Sequence, residues 1–148
     1  MFSFLNIKKK KCFVFDIDGT IANHIGLRSP YDESKVYDDT VIESVAKVLK
    51  QLSKKYRIIF LSGRTKGCQL DTHRWIRDKL KYSGPIYLYM REIGDKRKDD
   101  IIKWELYNTY VFPKYNVIGV FDDRLQVCRM LYKNNVFVFN VNQGLREF

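Results

Sequence analysis

The sequence has no apolar run near the ~18 residues that a membrane span requires, so a bundle of membrane helices is excluded. Cysteine is scarce: Cys12, Cys68 and Cys128 are widely spaced and form no CxxC pair. That argues against a disulfide framework or a thiolate zinc site and for a reducing compartment. Proline occurs three times, and no Pro/Gly/Ser tract offers a linker at which to divide 148 residues. One domain spanning 1–148 is therefore expected, long enough to bury a real core. The opening MFSFLNIKKKK places its basic cluster after a short apolar patch, the reverse of a secretory signal. A soluble, cytoplasmic protein with no membrane contact is the expectation. Histidine is rarer still, and His24 and His73 belong to no metal-ligand spacing. Acids are also in deficit, with 17 Asp and Glu against 27 Lys and Arg, a net charge of +10. An excess of that size, spread along the chain, suits a polyanionic partner such as nucleic acid.

What is present is an alternation. Short β-branched and aromatic runs, CFVFDI (12–17), RIIFLS (57–62), PIYLYM (85–90), NVIGVF (116–121) and NVFVFNV (135–141), are nearly continuously apolar. Parallel strands covered on both faces have that character. Between them, 39–55, 71–82, 98–110 and 124–134 have helical patterning; in the first, Val41, Val45, Val48, Leu49 and Leu52 form one apolar stripe. The pattern predicts an α/β fold: a Rossmann-like, three-layer, open and mostly parallel sheet of about five strands.

In such sheets ligands bind beyond the carboxyl ends of the strands, where strand order reverses. Asp16 and Asp18 end the first run, Ser62 the second, Asp122 and Asp123 the fourth, and Arg91 follows the third. All are expected at one edge. Carboxylates gathered there repel one another unless a cation sits among them, and Mg²⁺, hard and oxygen-seeking, is the natural choice. Each acid taken singly could instead cap a helix or form a turn. Beside Mg²⁺ an aspartate can attack phosphorus, and a second acid can move the proton. At an extended strand end, positions i and i+2 share a side, which would put Asp18 beside Asp16. Gly19 lets the backbone turn beneath a phosphate, and Thr20 offers it a hydroxyl or N–H.

DIDGT, LSGR, a lysine on the helix before the fourth strand, and FDDR resemble, in order and spacing, the four motifs of the haloacid dehalogenase superfamily of phosphotransferases. RSPYDESKVYDDTVIESV, REIGDKRKDDIIKWELY and VFDDRLQVCRML further resemble the 3′-phosphatase domain of bacteriophage polynucleotide kinase/3′-phosphatase. This second likeness runs from about residue 12 to the C-terminus. It implies Asp16 as nucleophile and Asp18 as general acid/base. Mg²⁺ would be held by Asp16, the Asp18 carbonyl and Asp122, with Asp123 completing the acidic site. Ser62 would bond a phosphoryl oxygen, and Arg64 would meet phosphate or stabilise its loop. The motif lysine is Lys103 or Lys98, with family spacing favouring Lys103; Lys98 would then touch the nucleic-acid backbone. Asp99 would orient basic neighbours or cap its helix, and Arg28 and Arg91 would bind substrate phosphate.

No GxxxxGK[ST] loop occurs, so 5′-kinase activity is not expected of this sequence. Neither the interval after Asp18 nor the one after Ser62 has room for a full cap domain, and a site with minimal or no cap admits a polymer end. The expected reaction is Mg²⁺-dependent removal of a terminal 3′-phosphate from DNA or RNA through an aspartyl-phosphate, in nucleic-acid repair beside a separate 5′-kinase and ligase. Tyr31 and Trp104 are candidates for stacking on the terminal base. The phage likeness also raises a homo-oligomer. Two other classes stay open: a capless phosphatase acting on a nucleotide or phosphoprotein, and a non-catalytic nucleic-acid-binding protein.

Overall fold

The computed structural model describes residues 8–144, so the opening apolar patch up to Ile7 lies outside the described residues. Five parallel strands form the central sheet: β1 (Lys10–Phe15), β4 (Arg57–Thr65), β5 (Tyr87–Arg91), β6 (Tyr115–Asp122) and β7 (Val138–Asn140), in the order β5-β4-β1-β6-β7. Alternate residues of each strand face opposite layers. Phe13, Phe15, Ile58 and Phe60 point to one side, where α1 (Glu43–Ser53) and α2 (Gln69–Asp78) cover them with Ala46, Leu49, Trp75 and Ile76. Cys12, Val14, Ile59 and Leu61 point to the other, under α3 (Asp99–Leu106) and α4 (Leu125–Lys133), with Val127 and Leu131. The three layers and five strands are those the alternation predicts.

Strand order reverses at β1. The chain steps from β1 to β4 to β5, then crosses back through α3 to lay β6 on the other side of β1. Phe15 pairs with Phe121, and the Asp16 N–H donates to the Phe121 carbonyl at 2.9 Å, so β1 and β6 reach the edge together. Below them Phe15, Phe121 and Phe139 stack across three neighbouring strands, with ring centroids 4.3 and 4.4 Å apart. Stacked rings at this spacing hold the strand ends in register.

Several boundaries differ from expectation. β1 ends at Phe15, and Asp16 and Asp18 lie between it and a turn in which the Thr20, Ile21 and Ala22 N–H groups all donate to the Ile17 carbonyl. The first helix starts at Glu43, not at 39: Thr40–Val41 forms β3, antiparallel to β2 (Ala22–Asn23). Val41 thus leaves the expected stripe, and Val48, 44% exposed, faces out. Between β2 and β3 stand only a loop and a 3₁₀ helix, Glu33–Asp38, whose Val36 packs with Cys68 and Met90. This is the whole of the cap. α3 ends at Leu106 and continues as a wide π-turn over Tyr107–Val111, closed by the Phe112 N–H on the Tyr107 carbonyl at 2.8 Å.

Candidate active site

Asp16, Asp122 and Asp123 meet at the switch point, all buried, and each offers a carboxylate oxygen within 4.8 Å of the others. Asp16 arrives directly from β1, Asp122 is the last residue of β6, and Asp123 leads towards α4. Gly19 makes the approach of the two loops possible. Its φ is +80°, which suits a residue without a Cβ, and a Cβ there would lie 2.0 Å from Asp123 Oδ2.

Lys103 reaches this cluster from the interior of α3. Its ammonium donates to Asp16 Oδ1 and Asp122 Oδ2, each at 2.8 Å, and lies 3.4 Å from Asp99 Oδ2, one turn earlier. Burial opposes the charge on Lys103, yet Asp122, Asp16 and Asp99 hold its pKa well above the usual value. One lysine does not satisfy the group. Burial, then repulsion from Asp122 and Asp123, pushes Asp16 well above the carboxylate range despite Lys103. Burial also raises Asp122 against the pull of Lys103. The set is short of positive charge and made of hard oxygen donors, which is the character of a Mg²⁺ site. Thr20 Oγ donates to Asp16 Oδ2 at 3.0 Å and lies 3.3 Å from Asp123 Oδ1, so its hydroxyl is engaged inside the acidic group.

Asp18 belongs to a second network. Arg64 grips it with Nε (3.1 Å to Oδ2) and Nη2 (2.7 Å to Oδ1), and Arg28 Nη2 donates to Oδ1 at 3.0 Å. Burial alone would raise the Asp18 carboxyl, but Arg64, Arg28 and His24 outweigh it and hold it below the usual range. Both guanidinium groups also bond Asp39: Arg28 forks onto it with two bonds of 2.8 Å, and Arg64 adds a third of 2.8 Å. Asp39 has no counterpart among the residues singled out in the sequence. It was hidden in YDDT, where an acid before a helix reads as a cap, and only the fold shows it fully buried between two arginines.

The remaining expected residues divide by depth. Ser62 is buried, with its Oγ accepting from the Arg64 N–H at 3.1 Å. The side chains of Arg28 and Arg64, expected to meet phosphate, are turned inward with at most 2% exposure. Arg91 likewise spends its guanidinium on the Gly63, Asp95 and Arg97 carbonyls at 2.8, 2.9 and 2.6 Å, and on Asp99 at 3.3 Å. Each therefore braces the site from within instead of standing open to a phosphate, because a buried carboxylate or carbonyl captures the guanidinium first. Of the two candidate lysines, Lys103 lies in the site and Lys98 is exposed just ahead of α3. Asp99, the first residue of α3, is not its cap: its carboxylate meets Lys103, Arg91 and Arg124. Tyr31 is 90% exposed, whereas Trp104 is half-buried and stacked on Tyr107. Within the acidic surroundings only Asp18 keeps a partly open carboxylate, 32% exposed.

Comparisons with known proteins agree with this geometry. The chain is 37% identical over 145 residues to a protein of Autographa californica nuclear polyhedrosis virus whose name is that of a bifunctional polynucleotide kinase/RNA ligase; the match covers 95% of this chain and 21% of that protein. It superposes with a TM-score of 0.85 and 34% identity on a chain of the Pnkp1/Rnl/Hen1 RNA repair complex, over 93% of this chain and 44% of the other. A class C acid phosphatase of Bacillus anthracis, at 14% identity and a TM-score of 0.54 over 94% of this chain and 70% of its own, shares the fold. The chain thus spans about a fifth of the viral relative and less than half of the repair-complex chain. The model of the polynucleotide kinase PNKP phosphatase domain matches residues 10–145, and the chain belongs to that family of phosphatase domains.

Proposed function

We propose that this domain is a polynucleotide 3′-phosphatase, with Asp16 as nucleophile and Mg²⁺ held by Asp16, Asp122 and Asp123. The observation that carries the reading is the division of the acids. Asp16, Asp122 and Asp123 cluster with Lys103 bonded to the first two, while Asp18 stands apart, ionised between Arg28 and Arg64 and partly open. Mg²⁺ in that site would supply charge neutralisation for Asp16 and for the phosphoryl oxygens.

Lys103 donates to Asp16 Oδ1 and pulls towards its carboxylate form, a pull that Mg²⁺ would complete. Asp16 attacks phosphorus, the P–O bond to the sugar breaks, and an aspartyl-phosphate forms. Asp18 gives its proton to the departing 3′-oxygen, then takes one from the water that frees phosphate. In the resting arrangement Asp18 is in its basic form. A substrate phosphate beside the partly open Asp18 carboxylate adds a second negative charge, which raises the carboxyl towards a proton-donating state. Arg28 and Arg64, with Asp39 behind them, act on Asp18.

The open edge and the basic composition support a polymer end as substrate. The viral relative's name and the repair complex favour RNA ends, healed for joining beside a 5′-kinase and a ligase. The test is phosphate release from matched RNA and DNA oligonucleotides ending in a 3′-phosphate, against a 3′-mononucleotide, with and without Mg²⁺. The reading expects turnover only with Mg²⁺ and a higher kcat/KM on oligonucleotides. Equal efficiency on the mononucleotide would replace it with a nucleotide phosphatase.

A further inference from the structure

At the opposite edge of the sheet, where the strands begin, an open cavity of about 830 Å³ lies between the starts of β1, β4 and β5. The four lysines from Lys8 to Lys11 line one side, and Lys54, Lys55 and Arg57 line another. Tyr56, Tyr82 and Tyr87 complete the wall together with Ser53, Ser83 and Gly84. Among the described residues of this wall there is no Asp or Glu. None of the seven cations takes part in an ion pair with a described residue. All six lysines are exposed.

Three of the cations are also given a fixed place by aromatic rings. Arg57 lies 4.8 Å from the Tyr87 ring and 5.8 Å from that of Tyr115. Lys55 sits over Tyr56 at 5.6 Å. Lys9 sits over Phe112 at 5.2 Å and donates to its carbonyl at 3.3 Å. Rings that hold the charged heads without a counter-charge leave these cations available to an anion. The elements that bring these residues together, a strand entry, the end of α1 and a loop, converge because the sheet is parallel, and so place a cationic concavity opposite the acidic one.

We propose that this groove binds the phosphodiester backbone of a single-stranded nucleic acid, several nucleotides away from the end that enters the catalytic edge. The inference rests on the 3′-phosphatase reading for the identity of the strand, though not for the binding itself. The groove gathers cations with no side-chain amide or carboxylate among its described walls, so it grips phosphates with little reading of sequence. An acidic protein surface would also find cations here, but a series of evenly charged phosphates matches a wall with no directional partner better than scattered carboxylates do. The distance fits as well: β1 runs between the two edges, and its six residues span roughly 20 Å at the usual rise of a strand. Short substrates would touch only the acidic edge, and longer ones both.

The experiment uses the whole chain and Lys54→Glu/Lys55→Glu, two exposed residues outside the catalytic machinery. Two probes report binding by fluorescence anisotropy: a labelled oligonucleotide of about 20 residues ending in a 3′-OH, which is not a substrate, and a labelled polyglutamate of similar length. The substitution is expected to weaken oligonucleotide binding about tenfold at low salt and to flatten its salt dependence by roughly 1.4 in log–log slope, as two lost phosphate contacts require. Phosphate release is then compared between a 3′-phosphorylated trinucleotide and the same end on about 20 residues. KM should rise for the long substrate alone. Unchanged oligonucleotide binding overturns the proposal, as does tighter binding of polyglutamate than of the oligonucleotide, which would mark an acidic protein as the partner. Because the first probe carries no phosphate to remove, failure of the phosphatase reading leaves its result intact.

Discussion

The two edges of the sheet handle positive charge in opposite ways. At the carboxyl edge Arg28, Arg64, Arg91 and Lys103 are buried or nearly so, and each is paired with Asp18, Asp39, Asp99, Asp16 or Asp122. At the amino edge Lys8 to Lys11, Lys54 and Lys55 are exposed and have no carboxylate partner among the described residues. The first arrangement builds a shape, because a buried pair broken on one side leaves the other charge stranded. The second builds a field, whose members can be exchanged singly at little cost to the fold. The net charge of +10 is therefore not evenly meaningful. The candidate active site lies where charges are paired, and the proposed strand-binding groove lies where they are not.

The largest expected effect tests the catalytic half of that contrast. Asp16→Asn should reduce phosphate release by roughly 10,000-fold or more, as loss of a covalent nucleophile does, while leaving binding of a 3′-OH oligonucleotide at the other edge unchanged. Single-turnover assays and anisotropy on the same preparation decide it, and a modest loss of rate would remove Asp16 from its role. Next, Lys103→Met leaves Asp16 and Asp122 without their shared cation, and urea unfolding should show a loss of about 3–5 kcal/mol. Lys54→Met should stay within about 0.5 kcal/mol of the parent. Equal stabilities would erase the distinction between the edges.

Metal should stabilise the acidic edge only. Saturating Mg²⁺ at about a hundred times its dissociation constant adds roughly 2.7 kcal/mol, visible as a higher Tm that EDTA reverses. Asp123→Asn should lose most of that gain and Lys54→Glu/Lys55→Glu none of it. The smallest effect uses a thiol as a probe of local sign. Burial pushes Cys12 up to about 12, and Arg57 pulls against that rise. Arg57→Gln therefore raises Cys12 further, leaves less thiolate, and should slow its alkylation by roughly a few-fold. General loosening of the fold would speed the reaction instead, so the direction of change separates the two causes.

The layered fold and the convergence of Asp16, Asp122 and Asp123 were legible because both follow from strand ends, which apolar runs mark clearly. Lys103 was legible as the favoured of two lysines, because KRKDDIIKWELY offers several and only the fold shows which one reaches the acids. The roles of Arg28, Arg64 and Arg91 were obscured by their chemistry. A guanidinium in a loop near a phosphate site reads as an open hand, but here buried partners at residues 18, 39 and 99 take it first. Asp39 was invisible, because its partners lie 11 and 25 residues away and nothing in YDDT announces them. The basic groove was hidden for a similar reason. KKKK and KKYR stand far apart in the chain, and only the parallel pairing of Cys12 with Arg57 brings their neighbours together.

The pairing of β1 with β6 carries a consequence for how the acidic site can change over time. Asp16 and Asp122 each follow directly on a residue of the Phe15–Phe121 pair, so the gap between them is set by the spacing of adjacent strands, which backbone hydrogen bonds fix at about 4.8 Å in any sheet. The caliper is thus main chain, not side chain. The aromatic residues beneath it are replaceable by any packing that preserves register, whereas a slip of one residue would send one carboxylate to the opposite face. Sequence drift in the core should accordingly be tolerated by the acidic site far better than a single insertion in either strand.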